Sequence, residues 1–281
     1  MRHWEYIGFL KNCLTKSGFL QMIVKSRFSH YVLPIFVMMV YLMLYAPIIV
    51  LVVFSFNSNP LSYQWQGFTL GWYKELFKSV EIFGALKNSL IVAFSAVFLS
   101  VTLGLLYVFY SASSFLNRLF VFFYGSLVAP EIVLAVGMLS FFTFFAIPLG
   151  IITLIVGHTL IGLGYVVPLI KARLSEIDYR LIEASLDLGA TQNQTFVKIV
   201  IPLLYPAIVS SALLVFIVSF DDFLISFFCS GASTLTLPMY IFSVIKSGAT
   251  PVVNALSTLM LLISGLLIVF LTSIRVKTKV F

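Results

Sequence analysis

The stretch "EASLDLGATQNQTFVKIVIPLLYPAI", from Glu183 to Ile208, is the polar interruption in an otherwise oily chain. Hydrophobic runs long enough to cross a bilayer lie on both sides of it. A segment that leaves lipid for water between two such runs, and then returns, is a loop of a multi-pass membrane protein. The fold follows from what that loop connects.

Composition agrees. Of 281 residues, 61% are hydrophobic and 10% charged, against roughly 45–50% and about 25% in a soluble domain. So much apolar surface does not fit one water-soluble globule, and the chain reads as an integral membrane protein. The formal net charge of +7 sits at the ends of the apolar runs, where cations act as orientation signals. It does not point to nucleic acid. Cys13 and Cys229 are too few and too far apart for a disulfide framework or a metal site.

A helix needs roughly 20 apolar residues to span the hydrocarbon. Six segments qualify: Tyr31–Phe56, Leu86–Tyr110, Leu119–Phe145, Ile151–Ile170, Ala207–Phe228 and Val252–Ile274. The expected fold class is an all-α integral membrane protein with six transmembrane helices. Pro34, Pro47, Pro130 and Pro168 interrupt the spans, which is tolerated where neighbouring helices or a cavity satisfy the freed backbone groups.

Basic residues gather before the first span (Arg2, Lys11, Lys16, Lys25, Arg27), at Arg118, at Lys171, Arg173, Arg180 and Lys198, and at Arg275, Lys277 and Lys279. The alternate connections hold only Lys74, Lys78, Lys87 and Lys246. Both termini and the polar loop are therefore expected in the cytoplasm. The chain divides into a cytoplasmic N-terminal extension (1–30), a transmembrane domain (31–274) containing the cytoplasmic loop 172–206, and a basic tail (275–281). The first span lacks a small-residue cleavage site after it and reads as an anchor. Residues 1–30 read as an amphipathic lead-in on the anionic membrane surface; a docking element for another subunit is the alternative. In the first outer loop Trp65, Phe68, Trp72, Tyr73 and Phe77 suit a short helix at headgroup level; contact with an extracytoplasmic partner is the alternative.

The polar loop reads as two short helices around a glycine. Ile177, Leu181, Ala184, Ser185 and Leu188 share one face at helical spacing, with Arg180, Glu183 and Asp187 on the other. Gly189 supplies the positive φ that ends a helix. Phe196, Ile199 and Val200 mark a second helix, which Pro202 and Pro206 are expected to end as they open the next span. Two faces of this kind suit docking into a soluble partner. The alternative is a loop lying on the membrane, its charges paired as Glu176–Arg180 and Arg180–Glu183.

The spacing E-A-S, three residues, G, nine residues, I-x-I-P resembles the EAA loop of ABC importer permeases, whose pattern is E-A-A, three residues, G, nine residues, I-x-L-P. Ser185 stands for the second alanine and Ile201 for the leucine. "WQGFTLGWY", "NSL", "SFDDFLISFFCSG" and "VIKSGATPVVNALSTLMLL" look like the spermidine/putrescine branch of these permeases. The resemblance implies a type I importer bundle in the bacterial cytoplasmic (inner) membrane. It assigns ATPase coupling to Glu183, Ala184, Ser185, Asp187, Gly189, Ala190, Ile199 and Pro202. It implies as partners an ABC ATPase dimer, a second homologous permease and an extracytoplasmic polyamine-binding protein. ATP and Mg would bind on the ATPase, and this chain would bind no cofactor.

Three acids lie within the spans: Glu131, Asp221 and Asp222. A carboxylate at bilayer depth costs roughly 2.5–3.5 kcal/mol on insertion scales, so such residues face a cavity or a partner. They are candidates for guiding a cationic substrate, or else they are hydrogen-bonded to hydroxyls or paired with His158. Adjacent helical positions point about 100° apart, so one of Asp221 and Asp222 is expected to face a pathway while the other bonds a neighbouring helix. His158 reads as a satisfied interior histidine. Tyr107, Tyr124, Tyr165 and Tyr240 are all candidates for cation–π contact with an amine. Small residues at Gly104, Gly125, Gly137, Gly162, Gly164 and Gly265 suit close helix approach. No phosphate-binding G-x-x-x-x-G-K-[ST] occurs, nor any G-x-S-x-G or H-E-x-x-H, so the chain reads as non-catalytic. A permease for another cationic or metal solute, and a stand-alone secondary transporter, are the alternatives.

Overall fold

Long apolar runs with few helix breakers fold as helices, because in lipid every backbone polar group must be satisfied within its own segment. The computed structural model of the chain describes residues 27–60, 64–110, 120–232, 234–247 and 251–278. Most of the N-terminal lead-in, Cys13, Arg118 and Lys279 lie outside the described residues. The helices are α1 (Arg27–Phe54), α2 (Gly71–Leu76), α3 (Val80–Tyr110), α4 (Phe120–Val128), α5 (Glu131–Phe144) and α6 (Ile151–Leu174). Then follow α7 (Tyr179–Asp187), α8 (Gln192–Thr195), α9 (Ile201–Asp221), α10 (Leu224–Cys229), α11 (Leu237–Ser247) and α12 (Pro251–Thr278). The protein is all-α; an isolated antiparallel bridge joins Asn57 to Phe68. Among the described residues four helices are long and apolar enough to cross a membrane, or five when α4 and α5 count as one bent span.

Three expected boundaries are corrected. The third run is not one rod: α4 and α5 meet at an angle of 113°. Pro130 has no N–H to donate and pushes Ala129 out of the helical region, which opens the break. The fifth run neither starts nor stops where its hydropathy does. Residues Gln192–Asp221 form one continuous helical path, in which Phe196–Val200 is a π-helical turn and Pro202 falls in the first turn of α9. Pro202 is tolerated there because the wider turn just ahead of it re-registers the backbone bonds. The path then breaks at Asp222, whose backbone is extended (φ −68°, ψ 124°), and α10 follows as a separate short helix.

The described residues form two compact units. In the one built from 74–249, α3, α6 and α9 pack together. Val108, Val166, Ile170, Val200, Leu204 and Val215 fill one end of this packing. A second cluster joins Val92, Ala135, Phe142, Leu154, Ile225 and Cys229, drawing in α5 and α10. Without a hydrophobic force between helices in lipid, close backbone approach is what holds them. A Cβ on Gly162 would meet Ser100 at 2.9 Å and Val215 at 3.0 Å, and one on Gly104 would meet Val166 at 2.6 Å. Gly164 also lies against a neighbour, while a Cβ on Gly125, Gly137 or Gly265 would meet nothing within 4 Å among the described residues. Polar bonds reinforce the unit. Thr153 Oγ1 donates to the Cys229 carbonyl at 2.8 Å. Asn88 Nδ2 donates to the Leu235 carbonyl at 2.9 Å, and Ser89 Oγ accepts from the Leu237 N–H at 2.8 Å. The "NSL" triplet thus ties the start of α3 to the segment entering α11.

In the other unit α12 runs against α1, and a loop folds over the end of α1. Asn57 organises that loop: its amide donates to the Gln64 carbonyl at 2.8 Å and accepts from the Gln66 N–H at 3.0 Å. Trp72 Nε1 donates to the Asn57 carbonyl at 2.7 Å, and the Phe56 and Phe68 rings stack at 5.4 Å. The expected helix is α2, but it carries only Trp72 and Tyr73 of the five aromatics named from sequence. Trp65, Phe68 and Phe77 lie outside it and are exposed.

Candidate functional site

The polar loop is built by local signals. Asp178 caps α7, its carboxylate accepting from the Arg180 N–H at 3.0 Å. At the other end Gly189 has φ +87°. The Gly189 N–H bonds the Leu186 carbonyl at 2.9 Å and the Ala190 N–H bonds the Ser185 carbonyl at 3.1 Å. That pair of bonds is the Schellman closure, which requires a left-handed residue at Gly189's position. Thr191 and Gln194 then form a reciprocal capping box that starts α8, at 3.3 Å and 3.0 Å. The two arms are tied by the Ser185 and Thr195 hydroxyls, 3.0 Å apart and buried. Serine in place of the pattern's alanine is therefore a matched substitution, since Thr195 supplies its partner.

The loop's faces differ from the expected ones. Ile177, Ile182 and Phe196 pack toward the core, and Phe196 lies 4.5 Å from the Phe109 ring. Leu181 and Leu188 do not join them; Leu188 is 89% exposed. Around these leucines Glu183, Ala184, Asp187 and Gly189 are exposed, with Ala190 half-buried. Ile199 is half-buried and Pro202 exposed. Glu176 pairs with Arg173 at 2.6 Å, and no ion pair joins Arg180 to Glu176 or Glu183 among the described residues. The loop thus presents apolar and acidic groups together, away from its own core.

The second constellation lies at the break after α9. Asp221 ends α9 and is exposed, whereas Asp222 is 7% exposed. The Asp222 carboxylate accepts from the Ser226 N–H at 3.0 Å and the Ile225 N–H at 3.5 Å, satisfying orphan donors at the start of α10. His158 of α6 is 3% exposed. Its Nδ1 lies 3.0 Å from Ser219 Oγ, and its Nε2 lies 3.3 Å from Ser226 Oγ and 3.6 Å from Asp222 Oδ2. Glu131, in the first turn of α5, reaches the Asp222 carboxyl. His158, Gly162, Tyr165, Ser219 and Asp222 line a narrow cleft with room for roughly one water molecule. No lysine or arginine lines it.

The structure brings Glu131 and Asp222 together, while the Asp221 side chain is exposed. Of the four tyrosines, Tyr165 reaches the cleft, while Tyr107 stacks edge-on against Phe123 at 4.9 Å. Sequence reasoning left out Ser219 and Ser226. Their offsets from Asp222, three before and four after, were the available signal. Among the described residues no group of three or more His, Cys, Asp or Glu side chains suits a metal ion.

Residues 67–277 match the family described as binding-protein-dependent transport system inner membrane component. A spermidine/putrescine transport system permease protein, PotC, of Haemophilus influenzae is 39% identical over 83% of this chain and 92% of its own length. PotC of Escherichia coli K12 is 37% identical over 87% and 94%. The putrescine transport system permease protein PotI of the same strain is 36% identical over 78% and 81%. Among solved structures, a bacterial ABC transporter involved in alginate import superposes with a TM-score of 0.66 over 91% of this chain and 97% of its own, at 16% identity. The MetNI methionine ABC transporter gives 0.54 over 76% and 99%, at 20% identity. Those two likenesses show the fold, an ABC importer permease bundle. The profile match and the PotC and PotI identities go further: the chain belongs to the family of binding-protein-dependent transport system inner membrane components.

Proposed function

We propose that this chain is the permease half of an ATP-driven importer for polyamines, moving spermidine or putrescine by alternating access. The observation that carries the substrate is a chemical agreement. The PotC and PotI relatives, similar over most of the chain, are named for a polycation, and this chain sets three carboxyl groups near a cleft lined by no lysine or arginine. Amines that carry two or three positive charges suit such a surplus; an anionic cargo does not. In this reading Asp221 is the carboxylate offered to the passing cation. Glu131 and Asp222 supply field from behind it, and the Tyr165 ring offers a cation–π face.

The polar loop is the coupling element. Leu181 and Leu188, exposed beside Glu183 and Asp187, form the surface that enters a cleft on a cytoplasmic ATPase. Partners are an ATPase dimer carrying ATP and Mg, a second homologous permease and an extracytoplasmic polyamine-binding protein, with the termini on the ATPase side. The test is uptake of labelled putrescine and spermidine by cells with the gene intact or deleted, in a strain with no second polyamine importer. Loss of uptake on deletion is expected. Unchanged uptake removes polyamines as the cargo.

A further inference from the structure

The break after α9 carries more hydrogen-bonding than a loop of its length requires. Ser219 lies on α9 and Ser226 on α10, so the two hydroxyls sit on opposite sides of the break. Both meet one imidazole: His158 Nδ1 at 3.0 Å from Ser219 Oγ and Nε2 at 3.3 Å from Ser226 Oγ. A neutral imidazole carries one donor and one acceptor, and a hydroxyl serves as either, so a single tautomer satisfies both contacts. With the proton on Nε2, the ring donates toward Ser226 and the Asp222 carboxylate 3.6 Å away, and Nδ1 accepts from Ser219. The ring belongs to α6, which packs directly on α9. It therefore pins the angle between α9 and α10 from a third helix.

Asp221 sits at that elbow, one residue before the extended backbone of Asp222. We propose that His158 is a positioning residue for cation uptake: by joining Ser219 to Ser226 across the break, it fixes the elbow at which Asp221 is presented. The inference rests on the reading of Asp221 as a pathway carboxylate. His158 is 3% exposed and its ring nitrogens face Ser219, Ser226 and Asp222, so it acts on the cation through Asp221 and not by contact. Its contribution is to hold the carboxylate in one place, and a loosened elbow spreads Asp221 over several.

Three His158 variants separate this from simple packing. His158→Asn keeps a polar atom near the position of Nδ1 and loses the reach to Ser226 and Asp222. His158→Gln has the length to reach Ser226, and its amide carries a second polar atom that can meet Ser219. His158→Ala removes both. They are compared in the complete transporter, with the amount of assembled complex measured alongside uptake of labelled spermidine. Losing a hydrogen bond network of this kind corresponds to about tenfold in an apparent constant. His158→Ala and His158→Asn are expected to raise the KM for spermidine about tenfold per assembled complex, and His158→Gln to recover most of the loss.

The decisive arm combines His158→Ala with Asp221→Asn, since coupled residues give non-additive effects. If His158 acts by presenting Asp221, its removal adds little once the Asp221 charge is gone. A fully additive double variant overturns the inference while leaving the pathway reading intact. An Asp221→Asn variant with normal KM overturns the pathway reading and this inference with it. Loss of assembled complex in all three His158 variants, with unchanged KM in what remains, leaves His158 as a packing residue and also overturns the inference.

Discussion

The hydroxyls of Ser185 and Thr195 lie 3.0 Å apart, buried between the two arms of the loop that the family resemblance assigns to ATPase coupling. Ser185→Ala restores the residue of the family pattern and removes one neutral hydrogen bond, worth about 1 kcal/mol. It is expected to transport normally. Ser185→Leu forces the arms apart at a cost of about 1–3 kcal/mol. Spermidine-stimulated ATP hydrolysis by the assembled transporter checks both: retained in the first variant, lost in the second.

Gly189 tests the loop's turn. At φ +87° with open space around it, Gly189→Ala meets no neighbour and costs only the left-handed backbone, roughly 1–2 kcal/mol. Gly189→Pro cannot adopt that φ and loses the N–H that bonds the Leu186 carbonyl. The alanine variant should transport at a reduced rate, and the proline variant should insert normally yet fail to couple. Uptake measured beside membrane abundance distinguishes them.

Asp221 and Asp222 should separate in the laboratory as they do in space. Asp221→Asn is expected to raise the KM for cationic substrate with full assembly. Asp222→Ala strips the N–H groups of Ile225 and Ser226 of their acceptor and leaves His158 facing a void. Unsatisfied buried groups cost about 1–3 kcal/mol each. Yield and thermal stability of the purified complex should fall for Asp222→Ala and hold for Asp221→Asn. Equal loss of assembly in both would contradict the division of roles.

Gly162 tests the helix packing. Gly162→Val places a branched side chain where a Cβ alone already meets Ser100 and Val215, so α3, α6 and α9 cannot close. Overpacking of this kind costs about 1–3 kcal/mol or more. Gly137→Ala, at a position open to space, is the control and should be neutral. Folded yield after detergent extraction reads both.

The glycine turn of the polar loop was legible because its signal is local. Gly189 acts through its own backbone at the turn it makes, while Asp178 and Thr191, whose side chains cap α7 and α8, were equally local signals that went unread. The break at Asp222 was not legible. Nothing between Asp221 and Leu224 is a proline or glycine, so the apolar pattern reads straight through a point where Asp222 exchanges helix geometry for side-chain bonds. Proline misled in the opposite direction. Pro34, Pro47 and Pro168 lie inside continuous helices, while Pro130 ends one. Glu131, His158 and Asp222 come from three different runs, and their meeting depends on how helices stack, which hydropathy does not encode.

On the proposed function, a cytoplasmic ATPase drives polyamine movement through this chain's loop. Spermidine accumulation in proteoliposomes holding the complete transporter and its binding protein, with wild-type chain or Gly189→Pro, reads this out. Accumulation by the wild type is expected only when ATP is supplied on the loop side, with ATP hydrolysis and no accumulation in the variant. Accumulation without ATP, or by the variant at the wild-type rate, would contradict it.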